Sequence, residues 1–203
     1  MKKVLVLGSM NNMPTYYCDD LAQLGADVIQ VVGFSRRLHL HDPSNFLSDV
    51  QNSKFRIIRL PFLHNFFLPA ISFLYFMVLQ LLLPKSWKPD IVILNDTYLT
   101  LARYFKKQRK IFIPHGGDIE TWCGFNGSTP RSLAVSLKQA GIFQLMPYSV
   151  RKYYISFIVR AFQKNLSAVD GVIYFPRKFT AVTERVAEYC DNNKIFYWER
   201  YDM

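Results

Sequence analysis

The residues best suited to chemistry lie between Ile111 and Glu120, in the run IFIPHGGDIE. A short apolar run leads into Pro114 and His115, followed by Gly116, Gly117 and the acids Asp118 and Glu120. Histidine titrates near neutral pH and can donate, accept or shuttle a proton. The glycines let the backbone come close to a bound group. A lone histidine after a strand is usually structural. Its coupling to Gly116, Gly117 and Asp118 is what points to contact with a ligand.

A second candidate is the turn Gly8-Ser9-Met10-Asn11-Asn12, directly after a buried apolar run. Ligands of open parallel sheets bind outside the carboxyl ends of the strands. A glycine there exposes backbone N–H groups, and the helix start that follows favours anions. The pattern is not GxGxxG, because the second and third glycines are missing, so an NAD or FAD site is not expected. An ordinary strand-to-helix turn accounts for the same residues equally well.

These loops need a scaffold, and the pattern supplies one. Apolar strands are expected at 2–7, 27–33, 55–60, 90–94, 110–113, 172–175 and 194–198. Helices are expected at 14–25, with Tyr17, Leu21 and Leu24 on one face, and at 98–108, 130–140, 150–168 and 178–189. Residues 35–53 lack periodicity and read as a loop or insertion. Strand, glycine turn, helix, strand over the first 33 residues is a βαβ unit, whose crossover should be right-handed. The alternation throughout predicts an α/β fold: a Rossmann-like parallel sheet with helices on both faces.

The chain has 203 residues, half of them hydrophobic, which suits one domain with a sizeable core. A net charge of +10 suggests an anionic partner: nucleic acid, a membrane surface or a phosphorylated substrate. The basic residues cluster at 103–110 and 151–164, interleaved with aromatic and aliphatic side chains. A solvated basic face is the plainer reading. No zinc-finger spacing or RNA-binding signature accompanies them, so nucleic acid is not expected. Cys18, Cys123 and Cys190 are far apart with no CxxC pair, which points away from a metal and toward buried thiols in a reducing compartment. The apolar run at the start is too short for a signal peptide.

Leu60 to Pro84 contains no Asp, Glu, Lys or Arg. Its length fits a membrane span of roughly 20 residues. Pro69, His64, Asn65 and Gln80 interrupt it, and a strand of the same sheet follows at Asp90, so a helix on the sheet is favoured over a span. Phe66, Phe67, Phe73, Tyr75 and Phe76, with Lys85, Trp87 and Lys88 beyond, also fit a helix resting in a bilayer interface.

The strand followed by HGGD resembles the HG-x-D stretch in the N-terminal domain of family 4 glycosyltransferases of the GT-B fold. Other segments follow in that family's order. The run from Lys88 to Tyr98 (KPDIVILNDTY) resembles its PDIVHAHD strand and loop, and 168–177 (AVDGVIYFPR) resembles its ADRVIAVS strand. Residues 194–203 stand where the family has KVTVIPNGVD. The resemblance spans essentially the whole chain. It departs at Gly8-Ser9 (usually Gly-Gly), at Asn95-Asp96 (usually a histidine pattern) and at Phe175-Pro176.

The resemblance implies the acceptor-binding half of a two-domain enzyme that moves a sugar from a nucleotide-sugar donor to a lipid-linked or polysaccharide acceptor. His115 would face the donor sugar and Asp118 would orient its loop, as the catalytic pair. Gly8, Ser9, Asn95, Asp96, Gly116, Gly117 and Glu120 would line the substrate side. No cofactor or metal is implied. The donor would be held by a C-terminal domain or partner subunit outside these residues, so the chain alone should not transfer sugar. A cytoplasmic place, at most peripheral on the inner face of an anionic membrane, follows. The alternatives are a non-enzymatic binding or scaffold subunit that keeps the fold, and half of a sugar-nucleotide epimerase.

Overall fold

The computed structural model describes residues 1–8, 13–34, 54–61, 69–136, 145–174 and 181–199. Strands are β1 (Lys3–Leu7), β2 (Asp27–Phe34), β3 (Arg56–Pro61), β4 (Ile91–Asn95), β5 (Arg109–Ile113), β6 (Gly171–Tyr174) and β7 (Phe196–Glu199). Helices are α1 (Met13–Gln23), α2 (Pro69–Leu82), α3 (Pro130–Ser136), α4 (Tyr148–Leu166) and α5 (Ala181–Asn192). The strands form one sheet in the order β3-β2-β1-β4-β5-β6-β7, and every pairing is parallel. All carboxyl ends therefore share one edge. The strand order reverses between β1 and β4, the place where such sheets open a crevice.

Alternation along each strand divides the core in two. Leu5 and Leu7 face α2, α4 and α5, with Tyr75, Leu79, Phe162 and Val186 above them. Val4 and Val6 face α1, against Cys18 and Ala22. Helices thus lie on both faces, as the sequence predicts. On α1, Cys18 and Ala22 are the buried positions, Tyr17 and Leu21 flank them, and Leu24 is exposed beyond the helix end, contrary to the expected face. All three cysteines are free and buried.

Two stretches differ from expectation. Residues 98–108 do not form an α-helix; a 3-10 helix runs instead over Asp96–Tyr104. The Thr100 hydroxyl donates to the Thr97 carbonyl at 2.9 Å, a local bond that competes with regular helix. After β5 a π-helical turn, Asp118–Trp122, occupies what reads as loop. The expected loop at 35–53 lies outside the described residues.

A membrane span at 60–84 is ruled out by topology, because β3 and β4 lie in the same sheet on either side of it. No helix among the described residues is long and apolar enough to cross a membrane. Instead α2 packs one face, Ser72, Tyr75, Leu79 and Leu83, on the sheet. Trp87 is also buried, and its indole N–H donates to Asp27 Oδ2 at 2.6 Å, so it is not an interfacial anchor. Arg103 and Arg151, expected on a basic face, are drawn in. Arg103 donates to Ser72 Oγ and Tyr104 Oη, and Arg151 is buried.

The two sides of α2 should respond differently to truncation. Leu79 is 0% exposed and Leu81 is 81% exposed. Leu79→Ala should cost about 2–5 kcal/mol in urea unfolding, and Leu81→Ala less than about 0.5 kcal/mol. Equal losses would contradict this packing.

Candidate functional site

Gly8 follows β1 with φ +109, a conformation that L side chains rarely adopt. A Cβ there would come within 3.0 Å of Asn95 Cβ and 3.2 Å of the Tyr98 ring. Glycine at residue 8 thus lets the end of β1 lie against the end of β4. The Gly8 carbonyl accepts from Gln30 Nε2 at 3.1 Å, and the same Nε2 also donates to Thr15 Oγ1 at 2.9 Å. Gln30 sits in the middle of a buried strand, so this polar group is there to fix the turn.

Asn95 ends β4 and is buried. Its Nδ2 donates to the Ile113 carbonyl at 2.9 Å, tying β4 to the end of β5. Its side chain is therefore engaged within the fold. Asp96 follows with φ +53, a left-handed conformation that Asp tolerates better than most residues. Burial raises its carboxyl above the usual carboxylate range, opposed by hydrogen bonds with Thr97 and by the charge of nearby His115.

Beyond β5, the Asp118 carboxylate holds the loop by its backbone. Oδ1 accepts from the His115 N–H at 2.8 Å and from the Ile119 N–H at 2.9 Å. Oδ2 is buried with no partner among the described residues. Burial pushes the Asp118 carboxyl up to about 7; the Asp96 charge adds to this, and the backbone N–H groups oppose it. Gly116 has φ +105, whereas Gly117 is in right-handed helical geometry with open space around it. Only Gly116 needs to be glycine on conformational grounds.

Glu120 lies on the π-helical turn and accepts a hydrogen bond from Tyr174 Oη at 2.5 Å. This bond joins the β5 loop to the end of β6. Burial, then the bond to Glu120, raises the Tyr174 hydroxyl. Sequence reasoning missed Tyr174, Gln30 and Thr15. Gln30 carried a signal, a polar residue within an otherwise apolar strand, whereas Tyr174 carried none.

The structure thus gathers Gly8, Asn95, Asp96, His115, Gly116, Gly117, Asp118 and Glu120 along one edge, at the ends of β1, β4 and β5. Ser9 lies outside the described residues. His115 is half-buried, Asp118 is buried and Gly117 is exposed. The edge offers an imidazole near a carboxylate, seated on a loop that a second carboxyl holds. Among the described residues no group of His, Cys, Asp and Glu is arranged to hold a metal ion. A separate hollow of about 420 Å³ lies between Tyr17 and Leu21 of α1 and Ile111, Ile113 and Trp198 on the sheet. It is apolar and none of the edge residues lines it.

No protein-family model and no curated protein matches the sequence. Solved structures do match its fold. A UGT from Phytolacca americana, complexed with UDP-2-fluoro-glucose and pterostilbene, aligns with a TM-score of 0.62 at 10% identity, over 100% of this chain and 54% of that one. A UGT transferase from Siraitia grosvenorii in complex with UDP aligns at 0.55 and 13% identity, over 98% and 47%. A Polygonum tinctorium UDP-glucosyltransferase capable of glucosylating indoxyl aligns at 0.53 and 11% identity, over 99% and 52%. The chain spans about half the length of these structures. They share its Rossmann-like α/β fold.

Asp118 makes stability depend on pH. Its folded pKa of about 7 lies above the usual carboxylate value near 4. The native state therefore holds a proton that the unfolded chain releases, and stability should fall as pH rises from about 4 to 7. Asp118→Asn keeps an oxygen for the two N–H groups and removes the titration. It should be roughly 1–3 kcal/mol more stable than the parent at pH 8 and close to it at pH 4. Parallel pH profiles of the two proteins in urea unfolding would contradict this.

Proposed function

We propose that this chain is the acceptor-side, N-terminal half of a GT-B glycosyltransferase. It works with a nucleotide-sugar-binding domain, joined to it or supplied by a partner, and acts on a lipid-linked or polysaccharide acceptor at an anionic membrane surface. The observation that carries the reading is the cluster at the carboxyl edge. His115 lies within electrostatic reach of Asp96, on a backbone that Asp118 holds. The family 4-like HGGD stretch falls at this edge. The neighbours of the same fold are complexed with UDP-2-fluoro-glucose and pterostilbene, with UDP, or with 3,4-dichloroaniline, and this chain spans about half of each.

Each residue has a role that its position suits. His115, half-buried beside an open Gly117, hydrogen-bonds the reacting sugar and can exchange a proton with a hydroxyl. Asp96 favours the protonated imidazole when charge develops there. Asp118 keeps the His115 backbone in place, and through it the imidazole. Glu120 with Tyr174 fixes the far side of the loop. The exposed Gly117, with open space where a side chain would be, leaves room for the substrate, while Gly8 lets β1 close against β4.

Transfer requires donor and acceptor in one geometry, so turnover is expected only with the donor-binding half present. In that complete enzyme His115→Ala should lower kcat by about a hundredfold or more and leave the melting temperature within a few degrees. Sugar transfer from UDP-glucose by this chain alone would overturn the half-enzyme reading. An unchanged kcat in His115→Ala would remove His115 from the chemistry and favour a binding subunit that keeps the fold.

A further inference from the structure

The outer face of α2 is an apolar surface without an evident task. Phe73, Leu74, Met77, Val78, Leu81 and Leu82 are all exposed. At about 100° per residue they cover roughly half the helix circumference. The opposite side, Ser72, Tyr75, Leu79 and Leu83, is buried on the sheet. The helix is therefore apolar nearly all round, yet only half of it is covered by described residues. Scattered exposed leucines are ordinary, but a contiguous stripe of this kind marks an interaction surface.

Its surroundings indicate the occupant. No charge occurs from residue 60 to residue 84, and Lys85 and Lys88 then follow, both exposed. Lys3 Nζ reaches the Ser86 carbonyl at 3.4 Å, which adds a third cation to this end. Phe76, flanking the stripe, meets Phe105 edge-on at 5.3 Å, and Lys106 and Lys107, the next two residues of the chain, are exposed. Asp90, an acid at this end, is engaged by the Lys3 N–H at 2.9 Å. An uncharged apolar band with lysines clustered toward one end complements an anionic bilayer, whose interior accepts the side chains while its headgroups meet the cations. A second copy of this chain fits poorly, because it would bring the same lysines against each other in a protein of net charge +10.

We infer that α2 is the membrane-docking element: its Phe73–Leu82 stripe enters the interface of an anionic bilayer, with Lys85, Lys88, Lys106 and Lys107 on the headgroups. At 14 residues the helix is about 21 Å long, too short to span and suited to lying in the plane. It returns the chain from the carboxyl edge of the sheet to the amino edge. The inference deepens the membrane part of the proposed function and does not depend on sugar transfer.

Vesicle flotation of the full chain tests it, with vesicles of phosphatidylcholine alone or with a third phosphatidylglycerol. The chain should float with the anionic vesicles and release in 1 M salt. Leu74→Glu with Leu81→Glu, both at exposed positions, should weaken binding at least tenfold. Lys85→Ala with Lys88→Ala should weaken it roughly fivefold per lysine. Circular dichroism matching the parent keeps misfolding apart from lost binding. Failure to float with anionic vesicles overturns the inference, as does flotation unaffected by Leu74→Glu with Leu81→Glu. A dimer in solution that the same pair dissolves would assign the stripe to self-association instead. None of these readouts involves sugar, so sugar transfer is judged separately.

Discussion

The carboxyl edge is organised by the missing side chain at residue 8. A Cβ there would stand 3.0 Å from Asn95 Cβ, in a backbone conformation that L residues rarely adopt. With glycine in place, β1 and β4 close up where the strand order reverses, and Asn95 extends the contact to β5 through the Ile113 carbonyl. Asp96 and His115 leave the sheet from these two adjacent strand ends. Moving β1 away from Asn95 would disturb their separation without touching either residue.

The loop after β5 uses a different device. Asp118 accepts the N–H groups of His115 and Ile119 with one oxygen while the other stays buried. Enclosing a carboxyl near a second acid, Asp96, costs stability at neutral pH. Such a cost is commonly retained where it fixes functional geometry. The bond between Tyr174 and Glu120 holds the same loop from the β6 side. The imidazole therefore sits on a loop restrained at both ends, which suits the role proposed for His115.

Much of this was legible in the sequence because parallel sheets declare themselves by strand composition. The seven strands among the described residues lie within a few residues of their expected runs; the central ones stand out because a strand covered on both faces must be apolar throughout, whereas the edge strands β3 and β7 keep exposed residues such as Arg56, Arg59 and Trp198. His115 and its glycines stood out for the same reason, as chemistry-bearing residues at a strand end. What was illegible depends on partners remote in sequence. The use of Asn95 as a clamp requires knowing that β5 lies beside β4. The link from Tyr174 to Glu120 joins the end of β6 to the turn after β5, 54 residues apart in sequence. The 3-10 helix after β4 arises from local bonds that a helical pattern does not reveal. On α2 the apolar run was visible, but which half is covered was not, because both halves are equally apolar.

Under the proposed function, the edge bearing Gly8, Asp96 and His115 contacts the reacting sugar. Amide chemical-shift mapping of the isotope-labelled chain, titrated separately with methyl glycosides of common hexoses and with UDP, tests it most directly. A glycoside should shift the resonances of Asp96 and of His115 to Asp118, and UDP alone should shift them far less. Glycoside shifts clustered elsewhere, or a stronger response of this edge to UDP than to any glycoside, would contradict it.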